Sequence, residues 1–527
     1  MIRRRAFLAA GATALARPAL AQGEARQVLR FIPQADVTSL DPLATTSYSV
    51  RNHGHLCWDT LYGLDGEFRP QPQLAAGHVV EQGGLRWVFT LRDGPVFHDG
   101  EKIRAADAVA SIRRWMVRDT HGQTLAARLA EIAALDDRRF AIRLRQPFGA
   151  MLDALGKSSS YPCFVMPERF AAVPPTTPMT EVVGSGPYRF VADELRSGSQ
   201  VVYRRHEGYS PAPGGAVVAT AGPKLASFER VELRIIMDPA TAAAALQAGE
   251  VDWWERVAPD LRDLLARRRD VVVDRLEANG TISMLRPNHL HPPFDDPAVR
   301  RALLPALDQA EFMSAIMGPD RARWRDGLGC FTPGSALASD AGLEVLRGPR
   351  DLARARALLT ATGKAGSRAV VLNPADQVNN SALTTVAIDL MRKIGIDATD
   401  ATSDWGTMLA RRSRREPPSQ GGWNAVVLAF AGEDLVNPGG HPLLRANGND
   451  AWFGWPTSPK LEELREAWFA APDLDAQRGI GRAIQVQFFE DLPYWPLGQY
   501  FVDSAYRRGL VPDRRGITLP LNVRRLA

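Results

Sequence analysis

Between Leu85 and Asp107 the chain reads LRWVFTLRDGPVFHDGEKIRAAD, and within these 23 residues its periodicity changes from strand to turn to helix. Trp87, Phe89 and Leu91 alternate with Val88, Thr90 and Arg92, the two-residue period of a half-buried strand. Asp93-Gly94-Pro95 ends that strand, because Gly supplies unusual dihedrals and Pro has no amide to donate. Val96 and Phe97 resume an apolar run, and Asp99-Gly100 turns the chain again. From Ala105 the spacing is helical: Val109, Ile112, Arg113 and Met116 recur at three and four residues, with Asp107 in the first turn where a carboxylate suits the helix dipole. These are structural residues, and the segment specifies a fold rather than a ligand contact.

The order Trp87, Phe89, Leu91, Arg92, Gly94, Phe97, His98, Asp99, Gly100, Ile103, Ala105, Asp107, Val109 resembles the signature of the family 5 extracellular solute-binding proteins, the peptide- and nickel-type binding components of bacterial ABC importers. Further stretches are similar to the same family. They are Ser39-Leu40-Asp41-Pro42, Gly184-Ser185-Gly186-Pro187-Tyr188, Gly249-Glu250-Val251-Asp252 and Phe294 to Leu303, in which Asp296 caps a helix and Pro297 takes its first position. The resemblance implies an α/β, two-lobed periplasmic binding protein fold of type II with the extra domain of the peptide-binding class, its mixed sheets flanked by helices. It implies residues 22–65, 186–282 and 500–527 as domain I (lobe 1), 66–185 as domain II (the extra subdomain) and 283–499 as domain III (lobe 2). The hinge falls at two crossovers, near Ser283 and Gln499. In the later lobe, helices at 351–362 and 381–394 alternate with strands at 369–373 and from Ile396, which argues for a mainly parallel sheet.

The first 21 residues form an address: a twin arginine within Arg3-Arg4-Arg5, an apolar run to Ala16 and the small-residue site Ala19-Leu20-Ala21. They resemble a Tat-type signal peptide cleaved after about Ala21, so the expected location is periplasmic. That apolar run is too short to span ~30 Å of hydrocarbon as a helix. Four of the 64 basic residues lie in this segment, which holds no acid, leaving 60 basic against 59 acidic. The excess positive charge therefore belongs mostly to the address, and no basic patch interleaved with aromatics points to nucleic acid. Cys57, Cys163 and Cys330 are odd in number and widely spaced, so at most one disulfide can form; all three read as structural. His53-Gly54-His55 on a helix directs its rings about 200° apart, a poor metal site. Residues 211–224 read as a flexible insertion.

Chemistry is expected where the apolar run Asn424–Phe430 ends in Ala431-Gly432-Glu433-Asp434, since ligands of α/β lobes gather beyond the carboxyl ends of strands. In peptide-binding relatives a W/F-x-x-D element supplies the carboxylate for the peptide ammonium. Phe430-Ala431-Gly432-Glu433 puts Glu433 at that place, with Asp434 one residue on, a departure from the pattern that still suits a cationic group on the ligand. A buried ammonium needs such a fixed carboxylate, because an unpaired buried charge costs several kcal/mol. A solvated loop acid is the competing reading for either residue alone.

Trp423, Trp452, Trp455 and Trp405 crowd this part of the chain and suit a cleft that packs flat or apolar ligand surface, although each singly could be core. From domain I, Tyr48 and Arg51 face the same cleft, Arg51 as a bidentate partner for a ligand carboxylate. Asn288 and His289 follow the strand that enters domain III; with His291 the latter could ligate a soft cation, but Pro292-Pro293 favours a crossover loop. The leading expectation is a monomer that captures a peptide-like or amine-bearing small molecule by hinge closure and delivers it to an ABC permease and ATPase, with no cofactor, no metal and no catalysis. The alternatives are a secreted hydrolase of peptides or esters, or a non-transport sensor or chaperone on the same fold. Against a hydrolase, there is no G-x-S-x-G, no H-E-x-x-H and no separated carboxylate pair.

Overall fold

The computed structural model describes residues 27–471 and 473–526, so the address segment lies outside the described residues. Its strand Arg86–Leu91 buries every second residue, as the alternation requires, and stacks Phe89 on Phe140 with ring centroids 5.0 Å apart. It is an inner strand of a four-stranded antiparallel sheet, between Ala75–Glu81 on one side and Arg139–Leu144, then Leu129–Ala134, on the other. The helix Ala105–Met116 packs Val109, Ile112 and Met116 inward, while Asp107 accepts the Arg104 amide at its start. Arg113, expected on the inward face, is exposed, and Arg114 is buried in its stead. The Arg114 guanidinium grips both oxygens of Asp41 at 3.1 and 2.6 Å, so the Ser39–Pro42 element is tied to this helix.

The rest of the motif has a physical role. The imidazole of His98 accepts the Gly184 amide at Nδ1 (3.1 Å), and its Nε2 bonds to the Gly186 carbonyl (3.1 Å). Both glycines lie so close to the backbone of Leu56 and Cys57 that an added Cβ would stand 1.7 Å (Gly184) or 2.6 Å (Gly186) from a carbonyl oxygen. His98 and the Gly-Ser-Gly-Pro run are therefore one device. It fixes the return of the chain into the strand Tyr188–Phe190.

That strand is the edge of a seven-stranded sheet. The order continues through Gln200–Arg205, Arg230–Arg234, Val28–Ile32, Trp253–Trp254, Ser504–Arg507 and Val271–Asp274. Val28–Ile32 runs parallel to both its neighbours, and the other pairings are antiparallel. A six-stranded sheet lies on the far side of two crossovers, after Asp274 and after Tyr500. Its order is Trp324–Arg325, Trp495–Tyr500, Thr281–Pro287, Ala425–Ala431, Arg368–Pro374 and Asp397–Ser403.

The expectation of a mainly parallel sheet here is corrected: only Ala425–Ala431, Arg368–Pro374 and Asp397–Ser403 are parallel, and three pairings are antiparallel. The helical alternation extends only over residues 352–412. The strands supplied at the two crossovers come from elsewhere in the chain and enter in the opposite sense.

Residues 211–224, read as flexible, are pinned in their second half. Thr220 and Lys224 are buried, and Lys224 pairs with Asp59 at 2.7 Å. The helix that opens at Tyr48 ends at Cys57, where Trp58 turns extended and donates its indole to the Val183 carbonyl.

Candidate functional site

The strand Ala425–Ala431 carries its apolar residues out of the core and stops at Gly432, where a short turn, Gly432–Leu435, presents two acids. This turn is anchored to the first crossover: the Gly432 amide donates to the Gly280 carbonyl (2.9 Å), and Thr332 Oγ1 donates to the Gly432 carbonyl. The helix Tyr48–Cys57 approaches from the seven-stranded sheet. Tyr48 donates its hydroxyl to Asp434 and accepts the Ala431 amide at 2.9 Å; Arg51 pairs with Glu433.

A third segment, after the helix Met151–Leu155, completes the ring. Ser158 Oγ donates to Glu433 (3.1 Å), and Ser160 donates its amide and hydroxyl to Asp434 (3.4 and 3.3 Å). Four of the expected site residues, Tyr48, Arg51, Glu433 and Asp434, thus meet across the cleft.

The two acids are not equivalent. Asp434 is 2% exposed and its oxygens are taken up by Tyr48 and Ser160. Glu433 lines the small space left between the lobes, about 10 Å³, with Tyr48, Arg51, Arg256 and Glu277 in the same wall. That is room for about one water. Burial pushes the Glu433 carboxyl up, against the pull of Arg51, and burial followed by the Asp434 charge pushes the Tyr48 phenol well up.

Arg51 is itself fixed on its own lobe. Its Nε and Nη2 donate to Asn52 Oδ1 (3.1 and 2.9 Å), and the guanidinium lies 4.7 Å from the Tyr48 ring centroid, close enough for cation–π attraction. Asn52 in turn donates to buried Glu255 (3.3 Å), whose carboxyl burial pushes up to about 7.

Phe430 stands at the acid end, half-buried, and most of the other expected residues lie elsewhere. In the pairing of Thr281–Pro287 with Ala425–Ala431, Thr281 meets Ala431 at the acid end and Pro287 meets Ala425 at the opposite end. At ~3.3 Å per residue the two ends are about 20 Å apart. Asn288 donates to the Trp423 carbonyl there (3.0 Å), and the His289 amide bonds to Gly454 (2.8 Å). Trp423 is fully buried, donates to the Arg412 carbonyl and packs on Trp455 with centroids 6.1 Å apart. Trp452 stands between Arg412 (4.7 Å) and Phe430 (6.0 Å) on a face of the sheet. Trp405 opens the helix Trp405–Arg412 behind its cap Asp404 and packs on the core.

Sequence reasoning missed Ser158, Ser160, Asn52, Arg256 and Glu277. Asn52, next to Arg51, was within reach of it. Ser158 meets Glu433 across 275 positions, with only the polar run Lys157–Ser160 to mark it.

The family model described as bacterial extracellular solute-binding proteins, family 5 (middle) matches residues 69–435. The chain belongs to this family. A protein described as "probable peptide ABC transporter periplasmic-binding protein y4tO" in Sinorhizobium fredii is 34% identical over 98% of this chain and 97% of its own length.

Among solved structures, AgaA of A. tumefaciens R10 in complex with agropinic acid is similar with a TM-score of 0.78 at 21% identity, covering 95% of this chain and 99% of that one. A dipeptide-binding protein from Pseudoalteromonas sp. SM9913 in complex with Met-Leu gives 0.77 at 20%, covering 95% and 100%. The family is one of solute-binding proteins, so this chain is a binder and not an enzyme.

Proposed function

We propose that this family 5 protein is the periplasmic substrate-binding component of an ABC importer. It captures a small zwitterionic, peptide-like solute between Tyr48 and Arg51 on one lobe and Glu433 and Asp434 on the other. The observation that carries this reading is the position of Glu433: a buried carboxylate on the cleft wall, beyond the carboxyl end of a strand, opposite a fixed guanidinium. A ligand ammonium finds its counter-charge on Glu433, and a ligand carboxylate finds its own on Arg51. The description of the Sinorhizobium fredii relative as a peptide ABC transporter component supports the same class of cargo.

Hinge closure about the two crossovers expels water and brings both charges to the solute. The protein then works as a monomer, exported by its Tat-type signal with cleavage after about Ala21, and hands its cargo to a permease and ATPase. The test is to denature the protein purified from its native periplasm and identify the released small molecule by mass spectrometry. A molecule bearing both an amine and a carboxylate is the expected result. A neutral sugar or a metal chelate with no amine overturns the reading.

A further inference from the structure

The cleft closes on itself through a charge pair that both lobes own. Glu433 holds the guanidinium of Arg51, and the space that remains is about 10 Å³, far below the ~300 Å³ that a small-molecule site needs. Every other anchor of Arg51 but one belongs to its own helix: Asn52 Oδ1 accepts from Nε and Nη2, and the Tyr48 ring lies under it. The exception is the Ser158 carbonyl, 3.4 Å from Nη1. When the lobes part, Arg51 therefore stays behind with its fork oriented, and Glu433 leaves with the turn Gly432–Leu435.

We infer that Arg51 is the specificity-determining residue of the cleft: it takes the seat on Glu433 that the cargo's cation needs, so a solute is admitted only if it both displaces the guanidinium and supplies it with a new anion. This deepens the proposed function and rests on its assignment of Glu433 to the cargo's amine.

The reason is charge bookkeeping in a desolvated place. Both side chains are nearly buried, at 5% and 8% exposure, so neither can be left unpaired in the closed state without a large penalty. A simple amine would satisfy Glu433 and strand Arg51. A simple carboxylate would satisfy Arg51 and strand Glu433. A zwitterion exchanges one ion pair for two and leaves no buried charge alone. A second pair in the same wall, Arg256 with Glu277 at 3.5 Å, is already closed within one lobe and is not split by opening.

The test has two arms. In the first, cargo is stripped by unfolding, dialysis and refolding, and X-ray scattering compares the wild type with Arg51→Met, Glu433→Gln and the swapped Arg51→Glu/Glu433→Arg protein. The wild type is expected to be the most compact, both single variants to shift to larger dimensions, and the swapped pair to return toward the wild type. Equal dimensions for the wild type and both single variants overturn the inference, and this holds whether or not the swapped protein folds.

In the second arm, a mixed dipeptide library is offered free, N-acetylated or C-amidated, and thermal stabilisation is read. The wild type is expected to respond to the free library alone, with either cap weakening binding by more than about tenfold, and Arg51→Met to respond to the C-amidated library. Binding of all three libraries with equal strength overturns the inference while leaving the peptide-binding reading intact. No response of the wild type to any library removes that reading instead, and the scattering arm still decides whether Arg51 shuts the cleft.

Discussion

An alanine at position 432 would place its Cβ 2.1 Å from the carbonyl oxygen of Asn279 and 3.0 Å from a methyl of Thr332. Both neighbours are fixed: Asn279 lies in the crossover and its carbonyl also accepts Gln499 Nε2 at 2.7 Å, while Thr332 bonds to Gly432 itself. The turn that bears Glu433 must therefore move if Gly432→Ala is made. The expected cost is about 1–3 kcal/mol of stability, with the ligand response lost out of proportion, because the acid shifts relative to Arg51. Thermal melts with and without ligand check this; an unchanged ligand-induced shift would show that the turn need not be tied to the crossover. At this scale the sequence was legible where chemistry is local: an acid pair at the end of an apolar run stood out. It was not legible for Ser158 and Ser160, whose relation to the acids exists only after three distant segments have met.

Among the elements, the strand Thr281–Pro287 is buried at every residue and carries Arg286 into the core. Its guanidinium donates to four backbone carbonyls, those of Leu443 (3.1 Å), Trp452 (3.2 Å), Phe453 (2.8 Å) and Pro493 (2.8 Å), and burial pushes its pKa down to about 9. The aromatic stretch 452–455 is thereby fastened to the sheet, with Trp455 beside Trp423 at the end away from the acids and Trp452 reaching Phe430. Trp density alone pointed to the cleft, because sequence proximity to Glu433 does not say to which end of a strand a later loop returns. Lysine cannot span four acceptors, so Arg286→Lys is expected to lower stability by about 3–5 kcal/mol, seen as an earlier urea midpoint with ligand affinity kept. A loss of affinity at unchanged stability would instead put the aromatic stretch at the site. The strand–turn–helix of residues 86–116 shows the opposite case. Its periods, Arg113 apart, read correctly from the sequence because packing there follows local alternation, whereas the tie from His98 to Gly184 and Gly186 does not. Removing that tie in His98→Ala frees a buried amide and carbonyl, and the expected loss is about 1–3 kcal/mol, read in the same urea unfolding; an unmoved midpoint would show the turn to be held by its glycines alone.

Across the whole molecule, eight imidazoles are held below their ordinary value, and in every one burial is the leading cause. His53 and His98 fall from 6.5 to about 4 and His441 to about 3. Their bonds explain why protonation is resisted. His98 Nδ1 must accept the Gly184 amide, and His441 Nδ1 accepts the Leu443 amide, so an added proton would face a donor. The unfolded chain binds these protons from about pH 6.5 downward and the folded one does not, so stability is complete above pH 6.5 and is lost as pH falls toward 4. A depression of this size corresponds to on the order of 3 kcal/mol per group. Three carboxyls act in the other direction: the buried Glu255 and the half-buried Asp153 are pushed up to about 7 and Glu433 is pushed up as well, so their contribution is greatest below the ordinary carboxylate range and fades as pH rises through the raised values. Eight imidazoles outnumber three acids, so the histidines prevail on the acid side. The melting temperature is therefore expected to be highest near pH 6.5 and to fall as pH drops from there toward 4. A melting temperature that stays flat or rises from pH 6.5 to 4.5 would mean that the histidines are not held neutral in the folded chain. Replacing His441 by Gln, which can accept the Leu443 amide but cannot be protonated, should flatten the acid limb while leaving the melting temperature at pH 7 within a few degrees.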